Sequence, residues 1–218
     1  FAVGIARTDW SWTPLLADFD NDGYKDLYIT NGNVKDLTDE DFHNFTFDSI
    51  NKLTIKLKSK TEIQNLYSSI PSLKVKNYFF KNLEGKSFLN ASNNIGLDQP
   101  SWSYGAAYGD MDNDGDLDII INNANDQAFI HKNLARENGL GNSIRIKLIG
   151  AEKNKDALGA KIEVIIPNHF NQTIIVNPYK GYLSSHDLTQ VIGLDTFKFC
   201  DIQITWPDGK MEELHHAT

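Results

Sequence analysis

The sequence predicts an all-β protein, and two observations carry that prediction. Short runs of β-branched and aromatic residues, such as Leu27–Thr30, flank two aspartate-rich loops in the first part of the chain. From Ser143 onward, apolar and polar residues alternate at a period of two, which is typical of strands that bury one face. We therefore expect a repeat-bearing part at residues 1–140 and a small, β-sandwich-like domain at residues 141–218.

The composition indicates a folded, acidic protein and argues against some classes of partner. With 218 residues and 40% hydrophobic residues, the chain can bury a substantial core. A net charge of -8 and the lack of a Lys/Arg cluster argue against a nucleic-acid partner. No apolar run approaches the length of a transmembrane helix. The single cysteine, Cys200, lies in an apolar stretch and is predicted to be a small buried hydrophobe.

The strongest signal is an internal repeat. Residues 10–31 align without a gap on residues 102–123, an offset of 92 positions. Each copy contains the pattern Asp-x-Asp-x-Asp-Gly-x-x-Asp, with carboxylates at loop positions 1, 3, 5 and 9. The candidate ligands are Asp18, Asp20, Asp22, Tyr24 and Asp26 in the first loop, and Asp110, Asp112, Asp114, Asp116 and Asp118 in the second.

This pattern is typical of calcium binding. Calcium takes six to eight oxygen ligands, and a tight loop lets alternate carboxylates converge on one ion. Gly23 and Gly115 are placed for the sharp turn at position 6. Position 7 is Tyr24 in one loop and Asp116 in the other, so we expect both to use their main-chain carbonyl oxygens. The sequence thus predicts two calcium ions.

The loop pattern also allows two other interpretations. An EF-hand needs a glutamate at position 12 and a helix on each side. Here position 12 is Ile29 or Ile121, and the flanks have strand character. A tight acidic turn that binds nothing is the simpler alternative, and the presence of two copies in one framework argues against it.

The loops and their flanking strands resemble the FG-GAP/VCBS repeats of β-propellers, including those of integrin α chains. Asn77–Leu83 is similar to the segment 127–134, and Lys86–Ser92 resembles the strand that closes a four-stranded blade, which the second copy lacks. The resemblance implies a partial β-propeller. Two blades cannot close a ring, so further blades are expected upstream or from a partner chain.

The first repeat contains an insertion at about residues 33–75. The run Thr61–Ile70, which ends before Pro71, favours a capped helix within it. The insertion could carry a binding surface or form a packing flap, and its candidate exposed aromatic residues are His43, Phe45 and Phe47.

The C-terminal part resembles the ASPIC/UnbV module, which follows VCBS repeats in bacterial surface proteins and in animal cartilage acidic protein. The similar segments are Leu158–Ala160, Gly181–Ser185, Gly193–Leu194 and Trp206–Gly209. Two positions depart from the family pattern: His186 replaces an expected glutamine or serine, and Asp195 replaces an expected glycine.

Familiar catalytic and phosphate-binding motifs are absent from the sequence. The run Ser184–His186 is better explained as turn residues than as a catalytic pair. His215 and His216 could bind a transition metal, but a frayed polar tail is the better explanation.

The leading hypothesis is a non-catalytic, calcium-binding protein that is extracellular or on the cell surface, outer-membrane anchored if bacterial. It would present a binding or scaffolding module to a glycan or protein ligand. The alternative is a calcium-dependent polysaccharide-degrading enzyme, a lyase or hydrolase, or its accessory domain. A third possibility is a structural spacer.

Overall fold

The computed structural model of the chain describes residues 3–5, 7–36, 40, 59–166, 169 and 171–218. The all-β class is confirmed, because the described part of the chain consists mainly of antiparallel sheets. The elements are β1 (Ser11–Ala17), β2 (Asp26–Asn31), α1 (Lys60–Ser69), β3 (Val75–Lys76), β4 (Tyr78–Leu83), β5 (Ser87–Asn90), β6 (Pro100–Ser101), β7 (Ser103–Gly109), β8 (Asp118–Asn123), β9 (Phe129–His131), β10 (Asn142–Ile146), β11 (Lys161–Ile165), β12 (Gln172–Ile175), β13 (Gln190–Asp195), β14 (Cys200–Thr205) and β15 (Met211–Ala217).

The first three strands of one sheet, β1, β2 and β4, recur as the three strands of the next. The first has the order β1-β2-β4-β5, and the second has the order β7-β8-β9. Leu27 pairs with Phe80 in the first sheet, and Ile119, 92 residues after Leu27, pairs with His131 in the second. One hydrophobic core spans both sheets, with Tyr28 and Ile121 fully buried in it. The repeat found in the sequence is therefore also a repeat of strand register.

Helix α1 confirms the helical run expected inside the insertion. The Ser59 side chain accepts from the Glu62 main chain, and the Glu62 side chain accepts from the Ser59 main chain, which is a capping box. Ile70 is extended, as the residue before a proline prefers to be. Much of the insertion, including His43, Phe45 and Phe47, lies outside the described residues. No described helix is long and apolar enough to cross a membrane.

The C-terminal part has its own core. Its sheets have the orders β12-β11-β14-β15 and β10-β13. The predicted alternation is confirmed: Ile162, Val164, Ile202 and Ile204 are all buried on one face. Cys200 is fully buried in the same core, as expected.

The expectation that His215 and His216 lie in a frayed tail is wrong. Both residues lie in β15, which pairs with β14 along almost its whole length. The turn at Pro207–Gly209 brings the two strands together, since the Trp206 main-chain N–H donates to the Lys210 carbonyl oxygen at 2.8 Å. Sequence composition alone did not reveal this, because the strand is exposed and polar.

The C-terminal part packs against the loops and strands of the first two sheets. The Asp195 main-chain N–H donates to the Asn21 carbonyl oxygen at 2.8 Å. Ser184 Oγ accepts from the Ala106 main-chain N–H at 3.1 Å, and Tyr182 N–H donates to Thr13 Oγ1 at 3.1 Å. Ser184 is therefore engaged in contacts between the two parts.

His186 makes the most specific of these contacts. Its Nδ1 accepts from the Tyr108 main-chain N–H at 3.1 Å, and its Nε2 lies 3.0 Å from the Lys180 carbonyl oxygen. These partners suit a neutral ring with its proton on Nε2. Burial, reinforced by the Lys180 charge, lowers the pKa of His186.

We expect His186 to make stability depend on pH in one direction. Its folded-state pKa lies below the ordinary histidine value of about 6.5, so the unfolded chain takes up a proton first as the pH falls. The free energy of unfolding therefore decreases as the pH falls below about 6.5, because protonation favours the unfolded chain. His186→Gln, which cannot take up a proton, should lose less stability between pH 7.5 and pH 5 in urea titrations. An identical pH profile for the two proteins would contradict this role.

Candidate metal sites

Two acidic loops occupy equivalent places in the repeated sheets, one between β1 and β2 and the other between β7 and β8. Their backbones follow the same path. Asn21 and Asn113 have φ values of 59° and 64°, in the left-handed region that asparagine tolerates. Gly23 and Gly115 follow with φ values of 89° and 98°, where only glycine is unstrained. The predicted sharp turn is thus present in both copies.

The first loop is held by hydrogen bonds from its own backbone. Asp18 Oδ2 accepts from the Gly23 N–H at 2.8 Å. Both oxygens of Asp26 accept main-chain N–H groups, from Phe19 at 3.2 Å and from Asn82 at 2.8 Å. Asp26 therefore ties the loop to β4 whether or not it also contacts an ion.

The second loop repeats these bonds. Asp110 Oδ2 accepts from the Gly115 N–H at 3.2 Å. The Asp118 carboxylate accepts from Met111 at 2.9 Å and from Asn133 at 2.8 Å. Equal bonding in both loops indicates one architecture used twice.

Most of the predicted carboxylates meet in clusters whose ligand oxygens lie within 4.8 Å of one another. The first loop forms one cluster, which does not include Asp26. The carboxylates of the second loop are divided between two clusters. The clusters are Asp18, Asp20 and Asp22; Asp110, Asp112 and Asp118; and Asp114, Asp116 and Glu137. The sequence did not identify Glu137 as a candidate ligand, because it lies outside the repeated motif. It belongs to the turn that follows β9, and this turn brings its carboxylate close to those of Asp114 and Asp116.

The donor chemistry of the loops fits a hard cation. Asp18 Oδ1 and Asp110 Oδ1, both at position 1, are buried oxygens without a hydrogen-bond partner among the described residues. Asp114 Oδ2 is also buried, but the Lys132 ammonium lies 3.4 Å from it. A buried carboxylate oxygen without a partner is costly, and oxygen-only clusters are the ligands that calcium prefers.

Burial makes the first loop electrostatically unfavourable without a cation. It raises the pKa of Asp18 to about 8 and that of Asp26 to about 7, with smaller contributions from the neighbouring aspartates. The pKa of Asp22 is also raised, first by burial. In the second loop, by contrast, the Lys132 ammonium lowers the pKa of Asp112.

Basic side chains from neighbouring strands reach both loops. Lys81 forms an ion pair with Asp20, and Lys132, at the equivalent place in the second sheet, lies 2.5 Å from Asp112. Arg145 Nη1 lies 2.9 Å from Asp110 Oδ2. The signal for the two lysines was present in the sequence, because each directly precedes an aligned asparagine, Asn82 or Asn133.

The residue at position 7 makes different contacts in the two loops. The Asp116 carboxylate is fully buried and accepts from Asn21 Nδ2 at 2.8 Å and from the Arg136 main-chain N–H at 2.7 Å. Burial raises its pKa. At this position the first loop has Tyr24, whose ring lies 6.3 Å from that of His169. Asp116 thus joins the second loop to the first, a role that the repeat pattern could not reveal.

The fold and the loops define a β-rich protein with acidic loops suited to a hard cation. Its C-terminal part can be assigned more closely: residues 150–218 match the family model described as ASPIC and UnbV, so the chain contains an ASPIC/UnbV domain. FG-GAP and VCBS repeats are not detected, and that resemblance rests on the two loops and their strands. A search of curated proteins finds no match.

Proposed function

We propose that the chain is a calcium-binding, extracellular or cell-surface module that serves as a non-catalytic binding or scaffolding unit. The proposal is carried by two buried oxygens at the same position of the two loops, Asp18 Oδ1 and Asp110 Oδ1. Neither has a hydrogen-bond partner in the part of the chain that the structure describes. Asp18 and Asp110 each belong to a cluster with two further carboxylates. Extracellular calcium at millimolar concentration would fill sites of modest affinity.

In this proposal the first two sheets are blades of a partial FG-GAP/VCBS-type β-propeller. Their identical strand register and their shared core support it. The first sheet has a fourth strand, β5, whereas the second ends at β9 within the described residues. Ile130 on β9 is 68% exposed, which suits a strand that a further blade or a partner chain would cover.

The calcium proposal predicts a stoichiometry. Isothermal titration of the wild-type chain should give two ions, and Asp18→Asn or Asp110→Asn should each give one, because a neutral amide removes the position-1 charge and one ligand oxygen. Asp156→Asn, an exposed change outside the loops, is the matched control and should keep both ions. Absence of binding to the folded wild type at millimolar calcium would refute the proposal.

An aromatic surface supports a glycan as the ligand. Trp12 lies between Tyr104 and Tyr182, with ring centroids 4.8 and 4.7 Å away, and Trp10 beside it is 43% exposed. A neighbouring groove of about 540 Å³ is lined by Tyr104, Tyr182 and the hydroxyl-bearing residues Ser184 and Ser185. Apolar faces combined with a few polar groups are typical of small-ligand sites.

We therefore expect binding on a glycan array that depends on calcium and on this surface. Trp10→Ala should weaken binding by roughly tenfold, since truncation of an exposed aromatic contact typically costs more than 1 kcal/mol at a binding hot spot. Leu73→Ala, an exposed apolar change outside the aromatic groove, is the control. Equal binding by both variants would place the ligand on another surface.

A further inference from the structure

A narrow cleft separates the first two sheets from the ASPIC/UnbV domain, and it is distinct from the acidic clusters. Its volume is about 50 Å³, and Lys25, Lys180 and Tyr108 are among its lining residues. Both lysines are partly buried. Within the described residues no carboxylate lies within ion-pair distance of either ammonium group. Two ammonium groups thus share this cleft, and neither is paired with a carboxylate among the described residues.

The Lys180 ammonium and the Tyr108 hydroxyl both keep hydrogens that they can donate to a ligand. Lys180 Nζ donates to Tyr108 Oη at 2.7 Å, which leaves further ammonium hydrogens free to donate. Tyr108 Oη accepts that bond, so the hydroxyl hydrogen can be donated to a ligand as well. Asp187 also lines the cleft, but its carboxylate is engaged with the Leu188 main-chain N–H at 2.7 Å and with Thr189.

We propose that this cleft binds a small tetrahedral oxyanion group, sulfate or phosphate, between Lys25, Lys180 and the Tyr108 hydroxyl. A chain of net charge -8 has no general affinity for anions, so binding would depend on these local donors. A water molecule needs a cavity of about 10–15 Å³, and the volume of this cleft is about 50 Å³. The cleft therefore has room for a group of a few heavy atoms but not for a sugar ring. The ligand is therefore a free ion or the terminal ester group of a larger molecule.

The test is a calorimetric titration of the full chain with sodium sulfate in saturating calcium, at constant ionic strength set with chloride. We expect one sulfate per chain. Lys180→Gln should weaken binding by roughly tenfold or more, because a charged hydrogen-bond donor is lost from a site shielded from water. Lys153→Gln, an exposed change of equal charge, should bind as the wild type does. Lys180→Arg, which keeps the charge, should retain most of the affinity.

The folding of each variant is checked by circular dichroism and by its calcium stoichiometry, which should stay at two because Lys180 lies outside both loops. Sulfate also stabilises proteins without binding, by exclusion from their surface. Equal melting-temperature gains in the wild type, Lys180→Gln and Lys153→Gln, with no heat of binding, would overturn the proposal.

A second titration separates the two sources of the anion. If glucose 6-sulfate competes with inorganic sulfate, the site takes the ester group of a glycan. If only inorganic sulfate binds, the site takes the free ion. Either result supports an oxyanion site, whereas binding that persists unchanged in both Lys180→Gln and Lys25→Gln would place the anion elsewhere.

Discussion

Replacement of Gly193 by alanine is expected to destabilise the chain and to remove calcium from the first loop. Gly193 lies on β13, directly against that loop. An added Cβ would lie 2.0 Å from Asp18 Oδ2 and 2.6 Å from the main chain of Asn21. The carboxylate could rotate away, but the main-chain atoms of Asn21 can move only if the turn itself shifts.

We expect a loss of about 1–3 kcal/mol of unfolding free energy, the usual cost of an overpacked core position. For a chain of this size each kcal/mol lowers Tm by roughly 2–4 °C. Calcium stoichiometry should fall from two to one. Gly109→Ala is the matched control, because a Cβ there meets no atom of the described residues within 4 Å. Two bound ions and an unchanged Tm in Gly193→Ala would show that β13 does not constrain the loop.

Removal of calcium is expected to have the largest effect on stability. With free calcium about a hundredfold above the dissociation constant, each site adds ~2.7 kcal/mol to the native state. Two sites together add about 5 kcal/mol, which corresponds to roughly 10–20 °C in Tm. The clustered carboxylates repel one another when no ion is bound. Removal of calcium should lower the stability of the native state for this reason as well.

The measurement is a pair of thermal melts, one with excess calcium and one with chelator. The double variant Asp18→Asn with Asp110→Asn should melt at the same temperature in both conditions, which separates site binding from a general effect of salt. Coincident curves for the wild type would refute a stabilising role for calcium.

Much of the fold could be predicted from the sequence because it depends on local pattern. The period-two alternation placed Ile162 and Ile204 on the buried face, and the glycine at position 6 predicted the turn in each loop. These features require only neighbouring residues. The partial propeller, the two calcium ions and the glycan or protein ligand stay predictions.

The environment of the loops could not be predicted, because it depends on segments distant in sequence. Arg145 reaches Asp110 from β10, and Asn21 reaches Asp116 across 95 positions. A repeat alignment treats each copy as independent, so it is blind to contacts between copies. It also cannot show that both oxygens of Asp26 accept main-chain N–H groups, as those of Asp118 do.

Asn21 connects three segments of the chain at one residue. Its side chain donates to Asp116 in the second loop, and its carbonyl oxygen accepts from Asp195 in the ASPIC/UnbV domain. Distortion of this one turn would disturb both contacts together. We infer that the two repeats and the C-terminal domain unfold in one cooperative transition and not independently of one another. A truncation at residue 141 would then be expected to weaken the fold on both sides of the cut, because each fragment would lose its partner at Asn21.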